Sequence, residues 1–154
     1  MRNAALRQAY RAGFWVLWVA ALVRRPHALG VKALLKNGGD VLLVRHTYGF
    51  NEWELPGGGQ RRHETPRQAI TRELREELGI EVADVNELGT CNGPKQYRNN
   101  VVSFFGIELA SRSLTPDPVE IAEVRWCDPS DPPQPLGWYA TEALARNGKA
   151  IALP

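Results

Sequence analysis

The chain has 154 residues, 44% of them hydrophobic and 23% charged, which is enough for one domain with a proper core and too little for two. That balance excludes a disordered chain, and a formal net charge of only +2 supplies no global field that would select nucleic acid as a partner. The charge is unevenly placed: no Asp or Glu precedes Asp40, whereas Arg2, Arg7, Arg11, Arg24, Arg25, Lys32 and Lys36 do. The two cysteines, Cys91 and Cys127, stand at no metal-like spacing and are expected as free thiols in a reduced cytoplasm.

Residues 4–23 read as a helix, and Ala12–Val23 is a run of twelve apolar or small residues with Arg on both sides. A spanning helix needs about 20 apolar residues, so this one is too short to cross a bilayer. The residues leave three roles open. The helix packs on the domain or on a second copy of the chain, or it lies on an anionic membrane surface, or it is a cleaved leader, for which Val19 and Ala21 make a poor processing pair. Pro26 ends it, which makes residues 1–27 an extension and 28–154 the domain.

Val31–Lys36 and Val41–Thr47 are two short strands, and Asn37-Gly38-Gly39-Asp40 between them is hairpin chemistry. Trp53–Leu55 is a brief extended piece before Pro56, and Gly57-Gly58-Gly59 is a loop. Thr65–Leu78 is the clearest helix. Thr65 is its N-cap, Pro66 suits the first helical position, Gln68 completes a capping box and Gly79 is the stop. Strands are expected at Val82–Leu88, Val101–Leu109 and Ile121–Cys127, with Asn92-Gly93-Pro94 between the first two. Four prolines between Pro129 and Pro135 make an extended loop, and Trp138–Arg146 is a last helix closed by Asn147-Gly148. This order specifies an α/β or α+β domain in which helices cover a mixed sheet.

The helix at 65–78 carries the chemistry. At about 100° per residue, with Ile70 at zero, Leu74 and Leu78 define an apolar stripe at about +40° and +80°. Glu77 falls inside that sector at about −20°, Glu73 beside it at about −60°, and Glu76 at about −120°, while Arg72 and Arg75 lie opposite. Three carboxylates therefore line one flank of the buried face. Two such charges about 4 Å apart repel by roughly 4 kcal/mol at an effective dielectric of 20, so protons or cations must relieve them. Hard oxygen ligands favour magnesium, manganese or calcium over zinc, and magnesium commonly shares its shell with substrate phosphates. The glycines let backbone approach a ligand closely, and a carbonyl among them can join a metal shell. Arg72 can hold Glu76 at i+4 spacing.

The string GGQRRHETPRQAITRELREELGI resembles the Nudix box. Gly58, Glu64, Arg72, Glu73, Leu74, Glu76, Glu77, Gly79 and Ile80 fill its fixed positions. Val41–Arg45, Leu55-Pro56-Gly57-Gly58 and Val119–Trp126 extend the likeness over roughly residues 31–130. One departure is His63, where the family commonly has Gly. The resemblance implies an α/β/α sandwich with a mixed sheet, here with an added N-terminal apolar helix. It also implies a magnesium-dependent hydrolase (manganese as a substitute) that cuts the diphosphate of a nucleoside diphosphate derivative by water attack. It assigns one to three ions to Glu73, Glu76 and Glu77 with the Gly57 carbonyl assisting. Glu73 is then a candidate general base, with Glu120 or Glu123 from a later loop as alternatives, and Arg72 belongs to the catalytic set. Arg45, Gly58 and Gly59 are candidates for contacting substrate.

Subfamily markers do not fix the substrate. Pro94 and Tyr97 lie close to the markers of two different subfamilies, and no NADH-type run or full coenzyme A signature is present. Expected partners are a nucleotide or nucleotide sugar, with a homodimer or a peripheral membrane contact through residues 4–23 as further readings and no nucleic acid. The expected place is the cytoplasm, with membrane association as a variant. The alternative to an enzyme is a Nudix-like domain that binds a nucleotide without cutting it.

Overall fold

A computed structural model describes residues 2–24, 27–93 and 99–146. The elements run α1 (Arg2–Arg24), β1 (His27–Asn37), β2 (Asp40–His46), β3 (Trp53–Glu54), α2 (Pro66–Leu78), β4 (Asn86–Asn92), β5 (Asn99–Glu108), β6 (Ile121–Cys127) and α3 (Trp138–Ala145). One mixed sheet joins the six strands in the order β3-β2-β1-β5-β4, with β6 also paired to β2. β1 and β5 run parallel, and the other strand pairs are antiparallel. The helices cover its two faces, so the chain is an α/β/α sandwich of the expected class.

Alternation along β1 assigns the two cores. Val31, Ala33 and Leu35 pack with Leu42, Val44, Phe105 and Ile107 beneath Ala69, Ile70, Leu74 and Leu78 of α2. Leu34 faces the other way and joins Leu43, Trp53, Val102 and Phe104 beneath Ala140 and Ala143 of α3.

The hairpin is brief. β1 and β2 pair only at Lys36↔Val41 and Asn37↔Asp40 and then diverge. The segment after β3 fills the gap: Val31 and Ala33 donate their amides to the Gly58 and Pro56 carbonyls, and Gln60 donates to Leu29. The glycine loop is thereby inserted into the sheet beside β1, and α2 begins a few residues later.

Two strands depart from expectation by four residues, and the others by two or fewer. β1 starts at His27 rather than Val31, because His27–Gly30 pair with Asn99–Val102 of β5. β4 spans Asn86–Asn92 rather than Val82–Leu88. Ile80, Val82 and Val85 fill the α2-side core from an irregular segment, while the paired residues are mostly polar and solvent-facing, with only Cys91 buried, as suits a strand at the sheet edge. Apolar patterning marked the packed segment, not the hydrogen-bonded one. The expected Pro26 and Asn147-Gly148 helix stops lie outside the described residues. Among the described residues no helix is long and apolar enough to cross a membrane.

Candidate active site

Helix α2 is fixed at both ends. Thr65 accepts from the Gln68 amide while its own amide donates to the Gln68 side chain at 2.8 Å, and Gly79 takes a left-handed conformation at φ 66°. This registers the glutamates against the glycine loop. Gly57 has φ +125°, and a Cβ there would lie 2.3 Å from the Val31 carbonyl oxygen. A Cβ at Gly58 would lie 2.8 Å from the Glu73 carboxylate. Gly57 is therefore required by its close approach to backbone, whereas a Cβ at Gly58 would meet only the carboxylate end of the Glu73 side chain. Gly59 leaves open space for a side chain and offers its carbonyl to Arg72 at 2.9 Å.

Arg72 organises the outer carboxylates. It grips Glu64 through two bonds of 2.8 and 3.0 Å and reaches Glu73 at 2.7 Å and Glu76 at 2.9 Å. The i+4 pairing with Glu76 is as expected. The Glu64 pairing was not anticipated, although a planar fork matches a carboxylate well. Hydrogen bonding from Arg72, helped by the Arg61 amide, lowers the Glu64 carboxyl to about 2. Arg61 also reaches Glu76, at 3.1 Å.

Glu77 stands apart from this network. It is 2% exposed and accepts the Gly57 amide at 2.9 Å. Burial raises its carboxyl to about 7; Lys32 and the Gly57 amide oppose the shift, and Glu73 and Glu120 add to it. Lys32, which sequence reading did not assign to the site, donates to the Leu55 carbonyl at 2.8 Å and to the Gly57 carbonyl at 3.1 Å. The carbonyl expected to assist a metal thus already holds an ammonium group. Gly30, Lys32 and the Gly57–Gly59 loop border a cleft of about 210 Å³ that includes Leu29, Asn100 and Tyr139. The Asn100 Oδ1 atom there is buried with no hydrogen-bond partner among the described residues.

The later acids separate. Glu120 lies in electrostatic reach of Glu73, Glu76 and Glu77, and burial is the first cause of its raised pKa. Glu123 instead pairs with Arg45 across β2 and β6. Arg45 also stacks 5.2 Å from the Trp53 ring on the α3 side. Both are thereby engaged away from the glutamates. His63 has φ 70°, so the backbone keeps the left-handed form that glycine would adopt without strain. Cys91 and Cys127 are free thiols. Pro94 and Tyr97 lie outside the described residues.

Among the described residues no three acidic, His or Cys groups are gathered in metal-ligand geometry; Glu73 and Glu76 turn onto Arg72. The donor set nevertheless fits a hard divalent cation. It is all oxygen, and it includes a buried carboxylate that no guanidinium reaches among the described residues, beside a second carboxylate admitted by the missing Cβ of Gly58.

The NUDIX domain model matches residues 25–146, and the chain belongs to the Nudix family. It is 41% identical over 73 residues to an 8-oxo-dGTP diphosphatase of Proteus vulgaris, covering 47% of this chain and 63% of that one. It is 38% identical over 68 residues to an RNA pyrophosphohydrolase of Alkalilimnicola ehrlichii, covering 44% of this chain and only 38% of that one. The crystal structure of a MutT NUDIX hydrolase from Burkholderia pseudomallei superposes with a TM-score of 0.72 at 25% identity, covering 78% of this chain and 97% of that one.

Proposed function

We propose that the chain is a magnesium-dependent pyrophosphohydrolase that cuts a diphosphate linkage in a nucleoside diphosphate derivative. The observation that carries this is Glu77: a buried carboxylate, crowded by Glu73 and Glu120 and served by one backbone amide, needs a cation to ionise comfortably at neutral pH. Glu73, Glu76 and Glu77 would hold the ion, with the Gly57 carbonyl assisting when Lys32 yields it. The ion would supply neutralisation of phosphoryl charge and activation of the attacking water. The relatives named for 8-oxo-dGTP and RNA pyrophosphate chemistry support a nucleotide substrate.

The chain's own groups divide the remaining work. Arg72 locks Glu64, Glu73 and Glu76 into one arrangement. The cleft beside Gly57–Gly59 offers room for a nucleoside next to the acids. Glu120 is the better placed general base, because its pKa is raised, while Glu73 is held by the Arg72 guanidinium. Free thiols fit a cytoplasmic setting. The outward face of α1, with Leu6 and Val16 exposed and arginines but no acids, favours either an anionic membrane surface or a second copy of the chain.

The test is a panel of nucleoside diphosphate derivatives incubated with magnesium and analysed by product mass. A magnesium-dependent nucleoside phosphate product is expected; no product from any member would overturn the reading. One observation favours a second reading, a domain that binds nucleotide without cutting it: Glu73 and Glu76 are turned onto Arg72 rather than toward a common centre. Nucleotide binding without any product in the same panel would select it.

A further inference from the structure

Helix α1 lies before residues 25–146, which the family model matches, yet two of its side chains end on the segment that carries Glu120. Arg7 donates from Nε to the Pro118 carbonyl at 2.8 Å. The Tyr10 hydroxyl donates to the Glu120 carboxylate, and the Tyr10 ring packs on Tyr48 with centroids 6.2 Å apart. Tyr48 also meets Phe14 at 5.8 Å and His46 at 5.1 Å. Arg7, Tyr10 and Phe14 follow one another at helical spacing, so a single face of α1 makes these contacts.

The same segment is held from two other sides. The Asp117 amide donates to the Glu77 carbonyl of α2 at 2.9 Å, and the Glu120 and Ile121 amides return to the Asp117 carbonyl at 3.2 and 2.8 Å. Thr47 donates its amide to the Glu120 carbonyl at 2.9 Å and its hydroxyl to the Val119 carbonyl at 2.6 Å. Those bonds fix backbone; the Tyr10 bond fixes the carboxylate. Asp117, Glu73 and Glu76 all act on Glu120 as like charges, which favour a carboxylate turned away from them. A neutral phenol opposes that without neutralising the acid as a guanidinium would. It occupies one of about four lone-pair sites and leaves the others for a proton. Burial still keeps the Glu120 carboxyl above its ordinary value, with the Tyr10 bond opposing the shift.

We propose that Tyr10 is a positioning residue for Glu120: its hydroxyl holds the carboxylate near the α2 glutamates while Arg7 anchors the backbone beside it, which makes α1 a working part of the active site. This rests on reading Glu120 as the general base.

Turnover is measured with magnesium on the full chain, using the best-cut member of a panel of ADP-ribose, UDP-glucose and dGTP. Tyr10→Phe keeps the ring on Tyr48 and loses the hydroxyl. It should lower kcat about tenfold, the scale of one hydrogen bond to a charged group, with KM and melting temperature close to those of the wild type. Glu120→Gln should lower kcat about a hundredfold, the scale for a general base. Adding Tyr10→Phe to Glu120→Gln should cost nothing further, because the tyrosine acts through that carboxylate. An unchanged kcat in Tyr10→Phe, or the same loss in both backgrounds, would overturn the proposal. The contact itself is read by carbon NMR of tyrosine-labelled protein. The Tyr10 Cζ resonance, assigned by its loss in Tyr10→Phe, should move on Glu120→Gln, and a stationary resonance would overturn the proposal whatever the turnover. Near-full turnover of Glu120→Gln, or no product from wild-type protein, would overturn the underlying reading and the proposal with it.

Discussion

The Glu77 carboxylate accepts the Gly57 amide at 2.9 Å from inside the core, and the Gly57 carbonyl on the far side of the same residue takes the Lys32 ammonium at 3.1 Å. One glycine therefore separates a buried anion from the nearest compensating cation. The carboxyl has a folded pKa of about 7, raised from 4.5. Its contribution to stability is present below the unfolded value and is lost as pH rises through 7. In metal-free buffer at pH 8, Glu77→Gln should raise the melting temperature, and it should do so less at pH 5. The same substitution should lower magnesium-dependent turnover at least about a hundredfold, the scale for losing a charge-stabilising group. Thermal melts in chelator at the two pH values, with turnover on the same samples, check both halves.

Glu76 makes a contrasting variant. It is paired with Arg72 and Arg61 at the surface, with a side chain 46% exposed. Exposed pairs contribute about 0–1 kcal/mol, so Glu76→Gln should leave the melting temperature almost unchanged while removing most activity. Near-full turnover would detach Glu76 from the metal.

Arg72 carries more structure than its i+4 pairing suggests, because Glu64, Glu73, Glu76 and the Gly59 carbonyl all depend on it. Arg72→Lys keeps the charge and loses the fork. It should destabilise by about 2–3 kcal/mol, as expected when a partly buried charge network loses its hydrogen-bonded partner. Denaturant unfolding would read this directly, and a change below about 0.5 kcal/mol, the usual range for surface substitutions, would contradict it.

His63→Gly should stabilise the chain by up to about 1 kcal/mol. The native φ of 70° is strained for histidine and free for glycine, and the extra entropy of an unfolded glycine offsets part of the gain. A lower melting temperature would show that the His63 side chain makes a compensating contact.

His46 governs acid sensitivity. Burial, and then Lys32, lowers its pKa from 6.5 to about 3 against a hydrogen bond to the Glu120 backbone, and its Nδ1 is buried without a partner among the described residues. A depressed folded value means stability that is full above 6.5 and falls as pH drops toward 3. Between pH 7 and pH 5 this group alone should remove on the order of 2 kcal/mol by linkage. His46→Leu should flatten the stability profile across that interval, measured by urea unfolding at each pH; an unchanged slope would remove His46 from the account.

Much of the fold was legible because it is local. The capping box at Thr65 and Gln68 and the stop at Gly79 fix α2 to the residue, and the helical period places Glu77 among apolar neighbours and Glu76 outside them. The unread parts are long-range. Lys32 reaches the glycine loop from a strand 25 residues away, so its partner is not written in adjacent residues. An alternation test along β1 could have found it, since a lysine at an inward position of a buried strand demands a partner. Arg72 pairs with Glu64 across the turn before the helix. β4 lies beyond the expected Val82–Leu88 because the apolar residues before it pack without pairing, while the mostly polar run Asn86–Asn92 forms the ladder. The contact of Phe14 with Tyr48 and Phe50 joins distant segments through ring geometry, which no periodicity encodes.

The central claim is that the carboxylates of α2 bind a divalent cation in the folded chain. The most direct measurement is the shift in melting temperature caused by 10 mM magnesium at pH 8, in the wild type and in the Glu76→Gln, Glu77→Gln double variant. A ligand at about ten times its Kd adds roughly 1.4 kcal/mol, or about 4 °C for a domain of this size. The account predicts a shift of that order in the wild type and none in the double variant; an equal shift in both would contradict it.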